Sequence, residues 1–130
     1  MKGIEIKLDI TTPPKNAVFK DWQLKVLECI EYSQQIPIGS KAVWECVNHF
    51  EKISRASVIM FLQALHEIDL IDGVNASGKG GFRLEYRFIY DRDHFFEMLA
   101  TLIMGQFIEA FPNQDLKKVL DIVTTGAALD

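Results

Sequence analysis

Ile4, Ile6, Leu8 and Ile10 alternate with Glu5, Lys7 and Asp9, a period of two that predicts a half-buried strand or an extended N-terminal arm. Pro13 and Pro14 end that segment. From Phe19 the apolar positions shift to helical spacing, with Phe19, Trp22, Leu24, Val26, Leu27 and Ile30, and a first helix is predicted over about residues 20–33. Ile36-Pro37-Ile38-Gly39 is short and contains a proline that cannot donate to a ladder, so it reads as an extended connector or a very short edge strand. Ser40 is placed as the N-cap of a second helix whose face carries Val43, Trp44, Val47 and Phe50, ending near Phe50. Glu51-Lys52-Ile53 makes a tight link, and Ser54 caps a third helix with Val58, Phe61, Leu62, Leu65 and Ile68 at helical spacing. Two helices joined by so few residues form a helix-turn-helix candidate.

Leu70 to Val74, a glycine-rich stretch over Asn75 to Gly81, and Phe82 to Phe88 follow. In the last of these Phe82, Leu84, Tyr86 and Phe88 alternate with Arg83, Glu85 and Arg87, which with the glycine tip predicts a β-hairpin. Residues 91–111 read as a long helix, apolar on more than one side through Phe95, Phe96, Met98, Leu99, Leu102, Ile103, Phe107 and Ile108. A helix apolar around so much of its circumference must be covered. Pro112 and Asn113 break it, and a last helix is predicted over residues 114–123. The fold class is therefore mainly α with a small β-hairpin (α+β): a winged helix-turn-helix with a C-terminal helical element. The expected division is an arm at 1–18, a winged-helix domain at 19–90 and dimerisation helices at 91–130.

Composition changes this picture little, but the placement of charge changes it more. Hydrophobic residues make up 48% of the 130 positions, enough for one packed core and too many for a disordered chain. The net charge of -4 argues against a nucleic-acid binder when totals alone are considered. The acidity is concentrated after Arg92, where Lys117 and Lys118 face Asp93, Glu97, Glu109, Asp115, Asp121 and Asp130. Between Lys79 and Arg92 the balance reverses, with Lys79, Arg83, Arg87 and Arg92 against Glu85 and Asp91. No run approaches about 18 uninterrupted apolar residues, and the N-terminus lacks the apolar core of a signal peptide. A cytoplasmic protein without membrane partners is expected.

Three strings carry a family resemblance: Val43-Trp44-Glu45, Ser54-Arg55-Ala56-Ser57, and Leu65-His66-Glu67-Ile68-Asp69-Leu70 leading to Gly78-Lys79-Gly80-Gly81. Across about residues 21–88 the chain resembles prokaryotic winged-helix transcriptional regulators, nearest the penicillinase-repressor-like group and its archaeal relatives. The resemblance implies a homodimeric, DNA-binding repressor without enzymatic activity or cofactor. Asp69 departs from the glycine common at that turn, a position where Asp adopts the left-handed conformation at modest cost. Ile59 and Met60 depart further, standing where a polar pair usually reads bases.

On this reading Lys41, Lys52, Lys79 and Arg83 contact phosphate, with amide donors from the helix starts at Ser40 and Ser54. Arg55, Ser57 and Gln63 supply groove contacts, and Met60 can meet thymine methyls. Phe95, Met98, Leu99, Leu102, Ile103 and Phe107 are the expected dimer contacts. A second reading makes the domain a protein-interaction module with Ile59 and Met60 as its apolar contact. A third adds an effector cavity between the C-terminal helix and the core, for which no polar cluster names a ligand.

Other chemistry is weaker. Cys29, Cys46, His49 and His94 have donor types suited to zinc or copper, but no C-x-x-C or H-x-x-x-H occurs. The two cysteines are expected to be small apolar fillers in a reducing compartment, and no metal is expected. Gly78-Lys79-Gly80-Gly81 is followed by a strand rather than the helix of a phosphate loop. Asp91-Arg92-Asp93-His94 opens a helix, where acids are favoured by the dipole alone.

Overall fold

The computed structural model describes residues 18–78, 81–113 and 115–126. The alternating segment at 4–10 and the tip residue Lys79 lie outside them. The order of elements is α1 (Asp21–Glu31), β1 (Ile38–Gly39), α2 (Ser40–Val47), α3 (Arg55–Glu67), β2 (Ile71–Gly78), β3 (Gly81–Phe88), α4 (Arg92–Ala110) and α5 (Leu116–Thr125). The strands form one antiparallel sheet in the order β1-β3-β2. The described chain has a winged-helix-like α+β fold.

The apolar spacing read from the sequence is buried except at Phe50, expected on the buried face of the second helix: α2 ends at Val47, and Phe50 lies beyond it, 63% exposed, with Lys25 Nζ 4.5 Å over its ring. Val26, Leu27, Cys29 and Ile30 of α1, Val43 and Val47 of α2, and Val58, Phe61, Leu62 and Leu65 of α3 share one core with Leu70, Ile71 and Tyr86. Phe19 and Trp22 both meet the Phe61 ring edge to face, at centroid distances of 5.7 and 5.6 Å. Leu62, Leu65, Leu70 and Ile71 are fully enclosed, each contributing about 1.5–3 kcal/mol by burial. Among the described residues no polar or charged residue is buried in this core.

Three local expectations are corrected. Ser40 is not an N-cap: Gly39, with φ -78° and ψ 160°, holds that position without a side-chain bond. The cause is β1, whose Gly39 pairs with Glu85, so the chain stays extended until Ser40 enters the first helical turn. The hairpin ladder is also longer than expected, running from Ile71↔Phe88 to Gly78↔Gly81. Asn75 to Gly78 are strand, because backbone pairing continues where side chains no longer alternate. Finally, Cys29 and Cys46 are not separate fillers but one disulfide, with Cα atoms 6.1 Å apart. That separation lies within the range a bridge requires, and it arises because α1 and α2 pack with those positions opposed.

α4 joins the core only at its start. Phe95 and Leu99 are buried, and Met98, Leu102 and Ile103 pack partly against the core. Beyond them Phe107, Ile108, Phe111, Val119, Leu120 and Val123 are exposed. Among the described residues no helix is long and apolar enough to cross a membrane.

Candidate nucleic-acid interface

α3 is fixed at both ends by bonds its sequence supplies. At its start the Ser54 hydroxyl accepts the Ser57 N–H at 3.1 Å and donates to the Ser57 hydroxyl at 2.8 Å. At its end Asp69 takes φ 62°, the left-handed position that the Asp69 departure required. There the Leu70 N–H donates to the Leu65 carbonyl at 3.0 Å and the Asp69 N–H to the His66 carbonyl at 3.1 Å. This paired bonding is the Schellman closure, and it satisfies two of the last carbonyls of the helix.

The turn before α3 is held by side chains of α2. Trp44 Nε1 and Asn48 Nδ2 both donate to the Ile53 carbonyl, at 2.8 and 3.2 Å, and Asn48 Nδ2 also donates to the Trp44 carbonyl at 2.9 Å. These positioning groups were not found in the sequence, because nothing in helical spacing marks a bond that crosses the turn.

With the apolar side of α3 enclosed, Arg55, Ala56, Met60 and Gln63 face solvent, while Ser57 and Ile59 are half-buried. Met60 is 59% exposed, a large apolar side chain left uncovered. Lys41 and Lys52 are exposed, as are Glu45 and Glu51 nearby in sequence. Among the described residues Lys41, Lys52 and Arg55 make no ion pair.

The helix starts divide into two kinds. α1 has Asp21 in its first turn, α4 has Asp91 as N-cap and Asp93 behind it, and α5 has Asp115 as N-cap. Acids there complement the positive end of the helix dipole. α2 and α3 have no acid in the first turn and carry Lys41 and Arg55 instead. Cations also stand at the other starts, Lys20 at α1, Arg92 at α4 and Lys117 and Lys118 at α5, but there each has an acid beside it; at α2 and α3 none offsets the positive end of the helix dipole.

On the hairpin the two arginines differ. Arg87 pairs with its cross-strand partner Asp72 at 3.0 Å, so its charge is largely occupied within the sheet. Arg83 has its side chain 62% exposed and touches Glu85 only at 3.4 Å, a surface contact of little energy that leaves the guanidinium accessible. Of the expected dimer contacts, Phe95 and Leu99 are enclosed in the subunit's own core, Met98, Leu102 and Ile103 lie partly against it, and Phe107 is exposed.

Among the described residues two titratable groups are perturbed, Tyr86 on β3 and Asp91 at the start of α4. The backbone N–H of His94 holds Asp91 below the usual carboxylate range, and burial raises the Tyr86 phenol above its ordinary value.

No family model matches the chain, and no curated protein matches it. Among solved structures it is similar to one described as "Possible transcriptional regulator from Methanosarcina mazei Go1", with a TM-score of 0.52 and 15% identity, over 73% of this chain and 81% of that one. The likeness is one of fold.

Proposed function

We propose that the chain is a transcriptional regulator that binds double-stranded DNA as a homodimer, acting as a repressor inside the cell. The observation that carries this reading is that α2 and α3, the two helices of the helix-turn-helix, have no acid at the N-cap or in the first turn, while Lys41 and Arg55 at their starts are exposed and make no ion pair among the described residues. α3 enters the major groove, where Arg55, Ser57 and Gln63 contact base edges and Met60 packs on thymine methyls. Lys41, Lys52, Lys79, Arg83 and the amides beginning at Ser54 neutralise phosphates. Residues 19–90 form the DNA-binding unit and residues 91–130 pair two subunits.

The test is selection of bound duplexes with the purified protein, followed by titration of the selected sequence at several salt concentrations. Arg83→Ala and Lys79→Ala should weaken binding to every sequence and lower the log–log salt slope by about one per contact. Arg55→Ala should also relax sequence preference. Equal affinity of wild type and Lys79→Ala/Arg83→Ala at low salt would remove the wing from the interface. The exposed Met60 beside half-buried Ile59 favours a second reading, a protein-interaction module, which a protein with no duplex preference at any salt concentration would support.

A further inference from the structure

A cavity of about 400 Å³ opens where α1, the end of β3 and the start of α4 meet, within the size range of small-molecule sites. Leu24, Leu27 and Ile30 line it from α1, and Phe88, Phe95 and Phe96 line it from β3 and α4. Phe95 meets both Phe88 and Phe96 edge to face, each at a centroid separation of 5.3 Å, so the three rings form one apolar layer. The charged groups of the lining are all engaged within the chain. Glu28 is paired with Lys25 at 3.0 Å and Arg87 with Asp72 at 3.0 Å. Asp91 accepts the His94 backbone N–H at 2.9 Å and lies 2.9 Å from the His94 ring Nδ1. Glu31 has a partner as well. The uncharged polar groups of the lining are the phenols of Tyr86 and Tyr90, and burial raises the Tyr86 phenol above its ordinary value, which keeps it neutral.

We propose that this cavity binds an uncharged aromatic compound, seated between the leucines of α1 and the phenylalanine rings. The preference against ions follows from the pairing of the charged lining groups. An ion that enters gives up its hydration, which is costly without a counter-charge. To gain one it must break the pair of Glu28 with Lys25, of Arg87 with Asp72, or of Asp91 with His94. A neutral ring gives up little hydration and gains apolar burial together with edge-to-face contacts of the kind the three phenylalanines already make. A hydroxyl carried by that ring has the Tyr86 and Tyr90 phenols as hydrogen-bonding groups in the lining. Tyr86 and Phe88 belong to the strand that carries Arg83, so occupancy acts on the base of the wing. The consequence for DNA rests on the regulator reading above; binding itself does not.

The alcohol para-phenylbenzyl alcohol, the anion para-phenylbenzoate and the cation para-phenylbenzylammonium share one ring system and differ in charge, and calorimetric titration of each into the full chain without DNA tests the proposal. The alcohol should bind saturably, one per chain, at least about tenfold more tightly than either ion. Phe96→Ala, at a side chain 44% exposed, and Leu24→Gln, at a half-buried position of α1, should each weaken the alcohol about tenfold with the circular dichroism unchanged. Absence of saturable binding of the alcohol, either ion bound as tightly as the alcohol, or an alcohol affinity indifferent to both substitutions overturns the proposal. Because no duplex is present, such a failure leaves DNA binding intact, and a failure to bind DNA leaves this site intact.

Discussion

Trp44 on α2 donates its indole N–H to the carbonyl oxygen of Ile53 at 2.8 Å, and this bond closes the turn that sets the start of α3. Asn48 supplies a second, longer bond to the same oxygen at 3.2 Å. Trp44→Phe keeps the aromatic packing and deletes one donor, so the carbonyl stays satisfied by Asn48. The expected loss of stability is about 1 kcal/mol, read from denaturant midpoints. Duplex affinity should fall by more than stability explains, since α3 loses its fixed entry angle. Trp44→Phe/Asn48→Ala should cost more than the sum of the single changes, and simple additivity would show that the two bonds are independent.

Asp69 holds φ 62° on an exposed turn, and among the described residues its side chain has no hydrogen bond or ion pair to lose. Asp69→Gly should therefore stabilise, by up to about 1 kcal/mol, because glycine adopts the left-handed region freely. Asp69→Val should destabilise by about 1–2 kcal/mol, since a β-branched residue fits that region poorly. Thermal melts of the two variants check the order, and a glycine variant less stable than wild type would show that Asp69 does more than turn the chain.

The Asp91 carboxylate, held low by the His94 N–H, gives a pH dependence with a definite sign. A carboxyl whose folded pKa is depressed stabilises the fold above its unfolded value of about 3.9. That contribution is lost as pH falls through the lower folded pKa. Carbon-detected titration of Asp91 should show a midpoint below the ordinary carboxylate value. Asp91→Asn retains a capping side chain without the ionisation, so the stability difference between wild type and variant should shrink as pH falls through this window. A difference that grows toward acid would reverse the sign and refute the assignment.

The bond between Cys29 and Cys46 spans 17 residues of chain. Closing a loop of that length restricts the unfolded state by about 3 kcal/mol in the chain-entropy model. Addition of dithiothreitol should lower the urea midpoint of the wild-type protein and leave Cys29→Ala/Cys46→Ala unaffected. A wild-type midpoint indifferent to reductant means that the thiols are not joined in solution.

How much of this was legible in the sequence depends on whether a feature is local. The helical faces of α1, α2 and α3, the Ser54 cap, the Asp69 turn and the hairpin all follow from spacing and turn chemistry within a few residues. The misplaced Ser40 cap shows the limit, since β1 is strand only because β3 lies beside it. The Cys29–Cys46 bond and the Trp44–Ile53 bond join positions whose proximity is a property of helix packing, which single-helix periodicity does not contain. At the candidate interface the exposure of Arg55, Met60 and Gln63 was legible as the reverse of the buried face. The capture of Arg87 by Asp72 was not, because it needs the strand register. On α4 the apolar excess was visible, but not its division between the core and the outside.

That division determines the last prediction. Phe95 and Leu99 are enclosed by their own subunit, whereas Phe107, Ile108 and Phe111 on α4 and Val119, Leu120 and Val123 on α5 are exposed. Phe107 and Phe111 stack in a tilted pair at 5.1 Å. If pairing of two subunits covers these residues, light scattering should give twice the chain mass of 14.8 kDa. Phe111→Glu/Leu120→Glu should give a monomer with unchanged helicity, since both positions are exposed in the subunit and charge at an apolar interface is costly. Leu99→Glu should instead unfold the protein, because it places a charge inside the core. The monomeric variant should keep its affinity for a half-site and lose the gain provided by two half-sites on one duplex. A wild-type monomer, or a dimer that survives the double substitution, would place any pairing surface elsewhere.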